Sequence, residues 1–183
     1  MSVSESFSLI LQELSSGLDE DQNGNWCRLG DCISQSRQVF VYGQGRSGLA
    51  MRAFANRLGH LGCNVHFIGE ITCPAVQSGD LLIAGSASGS SGTVLELFRK
   101  AGIHGAETAV ITTAKDNPLS EIANIAVRLP GTARDSVSGS LQPMGTGFEQ
   151  RLWLSLDAFV LELMKDWNQN GQDMSSRHAN LEV

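Results

Sequence analysis

Two short segments carry the residue types that hold a phosphate. In Gly43-Gln44-Gly45-Arg46-Ser47-Gly48, three glycines, a guanidinium and a hydroxyl fall within six residues. Glycines let backbone N–H groups approach an anion closely, and the start of a following helix turns its positive end towards it. In Gly85-Ser86-Ala87-Ser88-Gly89-Ser90-Ser91-Gly92-Thr93, five hydroxyls accompany the amides and no lysine is present. Neutral donors of this kind suit a phosphomonoester, whereas a nucleoside triphosphate calls for the lysine of a P-loop. Gly45, Arg46, Ser47, Ser86, Ser88 and Ser91 are the candidate substrate- and phosphate-binding residues. A serine-rich loop can also be an ordinary helix cap, and Arg46 can equally form a surface ion pair. Two such loops at adjacent strand ends favour the binding reading.

Three residues can move protons. Glu149 stands at the start of a long helical pattern, behind the glycine-rich turn Met144-Gly145-Thr146-Gly147. Its alternative role there is to stabilise the helix dipole, worth about 0.3–1 kcal/mol. His60 lies near the end of the first crossover helix and His178 in the polar C-terminal stretch, positions where a lone histidine is usually packed or solvated. His60, Cys63 and His66 recur at every third residue, but they straddle a helix end and a strand and do not converge, so no metal site is expected. The first glycine segment also reads GxGxxG, and Glu70 follows Gly48 by 22 residues, where a dinucleotide site has its ribose-binding acid. That rival reading, a dinucleotide-dependent oxidoreductase, leaves the serine loop without a use.

These residues must be positioned by the elements around them. Ser2 and Glu5 have capping-box spacing, and Phe7, Ile10, Leu11, Leu14 and Leu18 follow at helical intervals. After a turn around Gln22–Asn25, a second helix carries Trp26, Leu29 and Ile33 towards Gln38. Val39-Phe40-Val41-Tyr42, ended by Gly43, suits a strand buried on both faces, and Ala50, Phe54, Leu58 and Leu61 mark a helix that stops at Gly62. The alternation continues with a strand over Asn64–Ile68, a strand over Asp80–Gly85 and a helix over Thr93–Ala101 closed by Gly102. A strand over Glu107–Thr112, a short helix over Leu119–Asn124 and a strand over Ile125–Leu129 complete it, with His104 in a loop. Strands separated by helices predict right-handed βαβ units, hence a doubly wound α/β fold with a five-stranded parallel sheet in the flavodoxin-like order 2-1-3-4-5, flanked by helices. Ligands in such sheets sit beyond the carboxyl ends of the strands at the switch point, where both glycine and serine segments fall.

Pro130–Met144 reads as a functional loop, and Thr146–Trp167 as a long helix. Its stripe of Phe148, Leu152, Leu156, Phe159, Val160, Leu163 and Trp167 leaves Leu154 and Leu161 on another side. A helix apolar on more than one side needs a second partner, so a homo-oligomer with this helix in the interface is expected. The chain is read as one domain: N-terminal helices 1–37, α/β core 38–129, active-site loop 130–145, interface helix 146–167 and C-terminal tail 168–183.

Composition narrows the function classes. With 183 residues, 42% of them hydrophobic, the chain is long enough for a core of its own, and global disorder is excluded. Thirteen Lys and Arg against 19 Asp and Glu give a net charge of −6, the wrong sign for a broad nucleic-acid surface, so no nucleic-acid partner is expected. Cys27, Cys32, Cys63 and Cys73 form no CxxC pair and read as reduced thiols in the cytoplasm. The N-terminus lacks a basic region before Arg28, and Leu152–Met164 is interrupted by Asp157 and Glu162, so no targeting signal or membrane span is expected.

Six motifs then carry a resemblance: GQGRSG at Gly43–Gly48, RLGHLG at Arg57–Gly62, GEITCPA at Gly69–Ala75, SASGSSGTV at Ser86–Val94, PMGTGFE at Pro143–Glu149 and RHANLE at Arg177–Glu182. In that order, over nearly the whole chain, they resemble the sugar isomerase (SIS) domain family and, within it, the 6-phospho-3-hexuloisomerases. The resemblance implies interconversion of D-arabino-hex-3-ulose 6-phosphate and D-fructose 6-phosphate without a cofactor. It further implies a tetramer, and a place in formaldehyde fixation, the ribulose monophosphate pathway, beside hexulose-6-phosphate synthase. Two departures stand out: Ala87 replaces a glycine of the usual SGSGET loop, and Ser90-Ser91 replaces Glu-Thr.

Moving a carbonyl between neighbouring carbons through a cis-enediol needs one base to carry the proton and an acid to serve the oxygens. Glu149, at the PMGTGFE position, is the expected base, and His60 and His178 are the candidate acids, with no ranking between them. If the tail folds over a neighbouring subunit's site, His178 can reach the sugar. The alternatives are a sugar-phosphate sensor without turnover, or an isomerase of another phosphosugar.

Overall fold

A computed structural model describes residues 2–16, 23–131 and 140–181. Five parallel strands, β1 (Val39–Gly43), β2 (Val65–Phe67), β3 (Leu81–Gly85), β4 (Glu107–Thr112) and β5 (Ile125–Arg128), form one sheet in the order β2-β1-β3-β4-β5, as the alternation predicts. β1 lies between β2 and β3 in register Val39–Val65 and Val39–Leu81, which makes its carboxyl end the switch point.

Alternate residues of each strand enter two different cores. Val39, Val41, Leu81, Ile83, Ala109, Ile111, Ile125 and Val127 face α2 (Asn23–Gln35), α3 (Gly45–His60) and α6 (Thr146–Asp166). Phe40, Leu82, Ala84 and Val110 face α4 (Gly92–Ile103) and α5 (Pro118–Ile122). Both sheet faces are therefore covered, which is why the strands read as continuous apolar runs. Phe159 of α6 links the three helices of the first face: its ring lies 4.8 Å from Trp26 of α2 and 6.3 Å from Phe54 of α3.

Element ends differ from the pattern reading where glycines and polar residues have a second use. α2 already begins at Asn23, so part of the expected turn is helical. α4 continues through Gly102 to Ile103, and Gly105, at φ +77°, takes the left-handed position that ends a helix. His104 is the C-cap between them. α1 (Val3–Ser15) has the expected capping box between Ser2 and Glu5, yet none of its residues is buried. Leu18 lies outside the described residues, as does 132–139 of the expected loop. The C-terminal stretch is not extended: Asn170 caps a short α7 (Gly171–Ser176) that packs on α3 of the same chain.

The first crossover is unusually tight. A Cβ on Gly48 would fall 2.5 Å from the Gly43 carbonyl oxygen, and one on Gly43 would fall 2.9 Å from the Gly48 amide nitrogen. Both contacts are backbone to backbone, so neither side can rotate away. Gly48→Ala is expected to lower stability by about 1–3 kcal/mol through overpacking, read as a fall in the urea midpoint; an unchanged midpoint would refute the close approach.

Candidate active site at the β1 and β3 strand ends

The carboxyl ends of β1 and β3 open into a cleft of about 870 Å³. Its lining brings together Gly45, Arg46, Ser47, Ser86, Ser88, Ser91 and Glu149, all seven as read from the sequence, with Gln44, Thr146 and the turn Pro143–Gly145. Arg46 and Glu149 are the charged side chains in that lining.

The serine loop is held from behind by β4. The Ser86 amide donates to the Ile111 carbonyl at 2.9 Å, and the hydroxyls of Thr112 and Thr113 donate to the Ala87 carbonyl at 3.0 and 3.1 Å. Within the loop, Ser88 Oγ accepts from the Ser90 amide at 3.3 Å and from the Ser90 hydroxyl at 2.9 Å. A hydroxyl has a single proton to give, so Ser88 keeps its own for a ligand while two donors polarise its oxygen. Ser90, standing where the resemblance leads one to expect glutamate, supports Ser88 in this way.

Ser91 has a different occupation. It is the N-cap of α4, accepting from the Val94 amide at 3.5 Å, and its hydroxyl donates to Gln44 Oε1 at 2.8 Å. The same Gln44 amide donates to Thr93 Oγ1 at 3.4 Å. Gln44 thus ties the β1 loop to the β3 loop, a role its place as a variable residue in a glycine motif did not signal. It is the N-cap residue of α3 but makes no cap bond with its side chain, which leaves the amide for this bridge.

Glu149 reaches the cleft from the first turn of α6. Before it, Met144 at φ +58° and Gly145 at φ +79° take consecutive left-handed conformations and swing the chain from the 3-10 turn Pro143–Gly145 into the helix. Phe148 and Leu152, which flank Glu149 on that helix, are buried in the core, and their burial fixes the rotation that presents Glu149 at the cleft edge. Its carboxylate pairs with Arg46 Nε; the arginine side chain is 62% exposed and the carboxylate 17%. The ion-pair reading of Arg46 is therefore correct, but the partner is the expected base and the pair lies in the cleft.

His60 and His178 are brought together, and away from this cleft. Their ring centroids are 5.1 Å apart, and Arg177 Nη1 donates to the His60 carbonyl at 2.9 Å. His60 sits at the last residue of α3 and Gly45 at its first, so about 22 Å of helix separates the histidine pair from the cleft of its own chain. The tail thus closes on its own chain. His66 turns to Gln38 at 3.0 Å, and burial pushes the Cys63 thiol up to about 11, keeping it protonated. Among the described residues no three His, Cys, Asp or Glu side chains are grouped to hold a metal. Glu70 pairs with Arg52 at 2.8 Å, and Arg52 lies 3.7 Å over the Phe67 ring, so the acid of the dinucleotide reading is engaged outside the cleft lining.

Known proteins share both sequence and fold with this chain. The SIS domain profile matches residues 32–144. A Bacillus subtilis (strain 168) protein named 3-hexulose-6-phosphate isomerase is 39% identical over 186 residues, covering 100% of both chains. A Methylomonas aminofaciens protein of the same name is 35% identical, covering 95% of this chain and 97% of its own. The crystal structure of a Methanococcus jannaschii protein, for which that isomerase function was inferred, has a TM-score of 0.84 at 30% identity and covers 97% of this chain and 99% of its own. With a matched profile over more than half of its length and relatives aligned end to end, this chain belongs to the SIS domain family.

Proposed function

We propose that this chain interconverts D-arabino-hex-3-ulose 6-phosphate and D-fructose 6-phosphate. The observation that carries the reading is a carboxylate, Glu149, held beside Arg46 at the edge of a cleft whose remaining donors are neutral hydroxyls, the Gln44 amide and helix-start amides. Relatives named for this reaction along the full chain length support the choice of substrate. The C6 phosphate binds between the two loops, on Ser88, Ser86, Ser47 and the amides of Gly45 and its neighbours. Its arrival gives Arg46 a second anion and frees the Glu149 carboxylate for the sugar.

From the 3-ketose, Glu149 takes the proton on C2, and the electron pair forms the C2–C3 double bond of a cis-enediol as O3 gains a proton. The enediol then loses the proton on O2 to restore a carbonyl there, and Glu149 returns its proton to C3, giving fructose 6-phosphate. One base serves both carbons because the transfer stays on one face. Arg46, beside the carboxylate, stabilises negative charge on the enediol oxygens.

The oxygen-serving acid comes from the His60 and His178 pair of a neighbouring subunit, since that pair is a helix length from the cleft of its own chain. Exposed Leu154 and Leu161 on α6, 55% and 58% accessible, together with exposed Leu49 on α3, are apolar surface for such an assembly, read here as a homotetramer. No described helix is long and apolar enough to cross a membrane. A cytoplasmic place beside a hexulose-6-phosphate synthase fits the chemistry proposed, because that class of enzyme supplies the 3-ketose.

Proton NMR of fructose 6-phosphate in deuterated water tests the reading, with deuterium expected at C3 together with 3-hexulose signals. Ester binding without exchange would instead make the chain a sensor or the isomerase of another phosphosugar. Glu149→Gln is expected to lower turnover by about a hundredfold or more, while affinity for the phosphate ester stays within about threefold; normal turnover removes Glu149 from the mechanism. Ser88→Ala is expected to raise KM by about tenfold through loss of a charge-assisted hydrogen bond, with a smaller effect on kcat. Truncation after Gln172 removes His178 and is expected to depress kcat, whereas full activity excludes the tail from the site.

A further inference from the structure

α6 starts without a cap of its own. Its N-cap residue is Gly145, which has no side chain to accept the free amides of the first turn. Across from it stands the last turn of α1, a helix with no buried residue to explain its place on α6. The contact there is polar. Ser140 Oγ donates to Glu13 Oε1 at 2.6 Å, and the Leu141 amide donates to Glu13 Oε2 at 3.3 Å. The backbone carbonyl of Glu13 accepts from the buried guanidinium of Arg151, two residues beyond Glu149 on α6.

We propose that Glu13 is a positioning residue for Glu149, holding the turn that enters α6 so that the carboxylate meets the cleft at a fixed place. Its Oε1 lies against Gly147 so closely that a Cβ there would fall 2.7 Å away, which gives the second glycine of GTGFE a reason to be glycine. A negative carboxylate at that point also complements the positive end of α6. The latch grips both sides of the strained Met144–Gly145 turn: Ser140 and Leu141 before it, Gly147 and Arg151 after it. A loose turn would let Glu149 wander, and small misplacements of a reacting group are costly in rate. The phosphate loops belong to β1 and β3 and do not pass through this contact, so substrate anchoring is left intact.

The inference rests on Glu149 as the base, and its test separates the two. E13A, E13Q and G147A are compared with the unaltered protein for kcat, KM and hydrogen exchange of residues 140–149. E13A is expected to lower kcat by about tenfold or more, with KM within about twofold and a melting temperature lowered by no more than about 4 °C. E13Q falls between, because the amide oxygen still accepts from Ser140. G147A, whose methyl displaces the flexible Glu13 side chain, reproduces E13A, and the double variant E13A/G147A is no slower than either. Exchange of 140–149 quickens in each. Unchanged kcat, unchanged exchange, or a KM that rises severalfold as the melting temperature collapses would overturn the proposal. If the unaltered chain shows no turnover, the isomerase reading fails alone, and the exchange rates still decide whether Glu13 holds the turn.

Discussion

The backbone contact between Gly43 and Gly48 is the constraint on which the site depends. It lets α3 leave β1 with no intervening side chain, so the start of the helix lies directly over the switch point. Because β1 pairs with β3 in a register that sets Gly43 opposite Gly85, that helix start lies beside the strand end carrying the serine loop. The glycine loop and the serine loop then share one cleft, and Gln44, released from capping α3, ties them together. A larger residue at either glycine would push the helix away and separate the loops.

α6 supplies the chemistry by a second packing argument. Its buried stripe of Phe148, Leu152, Leu156, Phe159 and Leu163 lies on α3 and the sheet, and a rigid helix so anchored cannot turn about its axis. Glu149 is therefore placed by hydrophobic burial several turns away as well as by the residues around it. Gly85 allows the approach, since a Cβ there would fall 2.8 Å from Leu152 Cδ2. The same tight contact carries the end of β3, and hence the serine loop, to the level of the helix start.

The charge balance of the cleft follows from its donors. Serine hydroxyls, a glutamine amide and backbone N–H groups carry no net charge, and the Arg46 guanidinium is matched by Glu149. Under the proposed function such a cleft holds the phosphate by geometry more than by field, in keeping with a chain whose net charge is −6. Relative to the Glu-Thr expected from the resemblance, Ser90-Ser91 removes a carboxylate from the loop and adds a hydroxyl that supports Ser88. Phosphate binding is compatible with the substitution on physical grounds.

Periodicity in the sequence determined the elements and their alternation, and glycine chemistry the two loops of the cleft, because both are local properties; the strand order followed from the commonest arrangement of five-stranded doubly wound sheets. Gly45, Arg46, Ser47, Ser86, Ser88, Ser91 and Glu149 were legible for the same reason: each lies at the end of an element whose direction the pattern sets. The ends of α2 and α4 were not, since Asn23 and Gly102 are tolerated inside helices that packing sustains. The tertiary structure alone decided which ends meet. His60 shares α3 with Gly45, yet a helix is a rigid rod, and its length carries the histidine to the opposite end of the strands on the same face of the sheet. His178 follows it there because α7 folds back on α3, and Arg46 finds Glu149 across 103 residues of chain. The roles of Gln44 and Glu13 likewise have no local signal. A side chain that acts on a distant segment is defined by packing distance, which the spacing of residues along the chain does not contain.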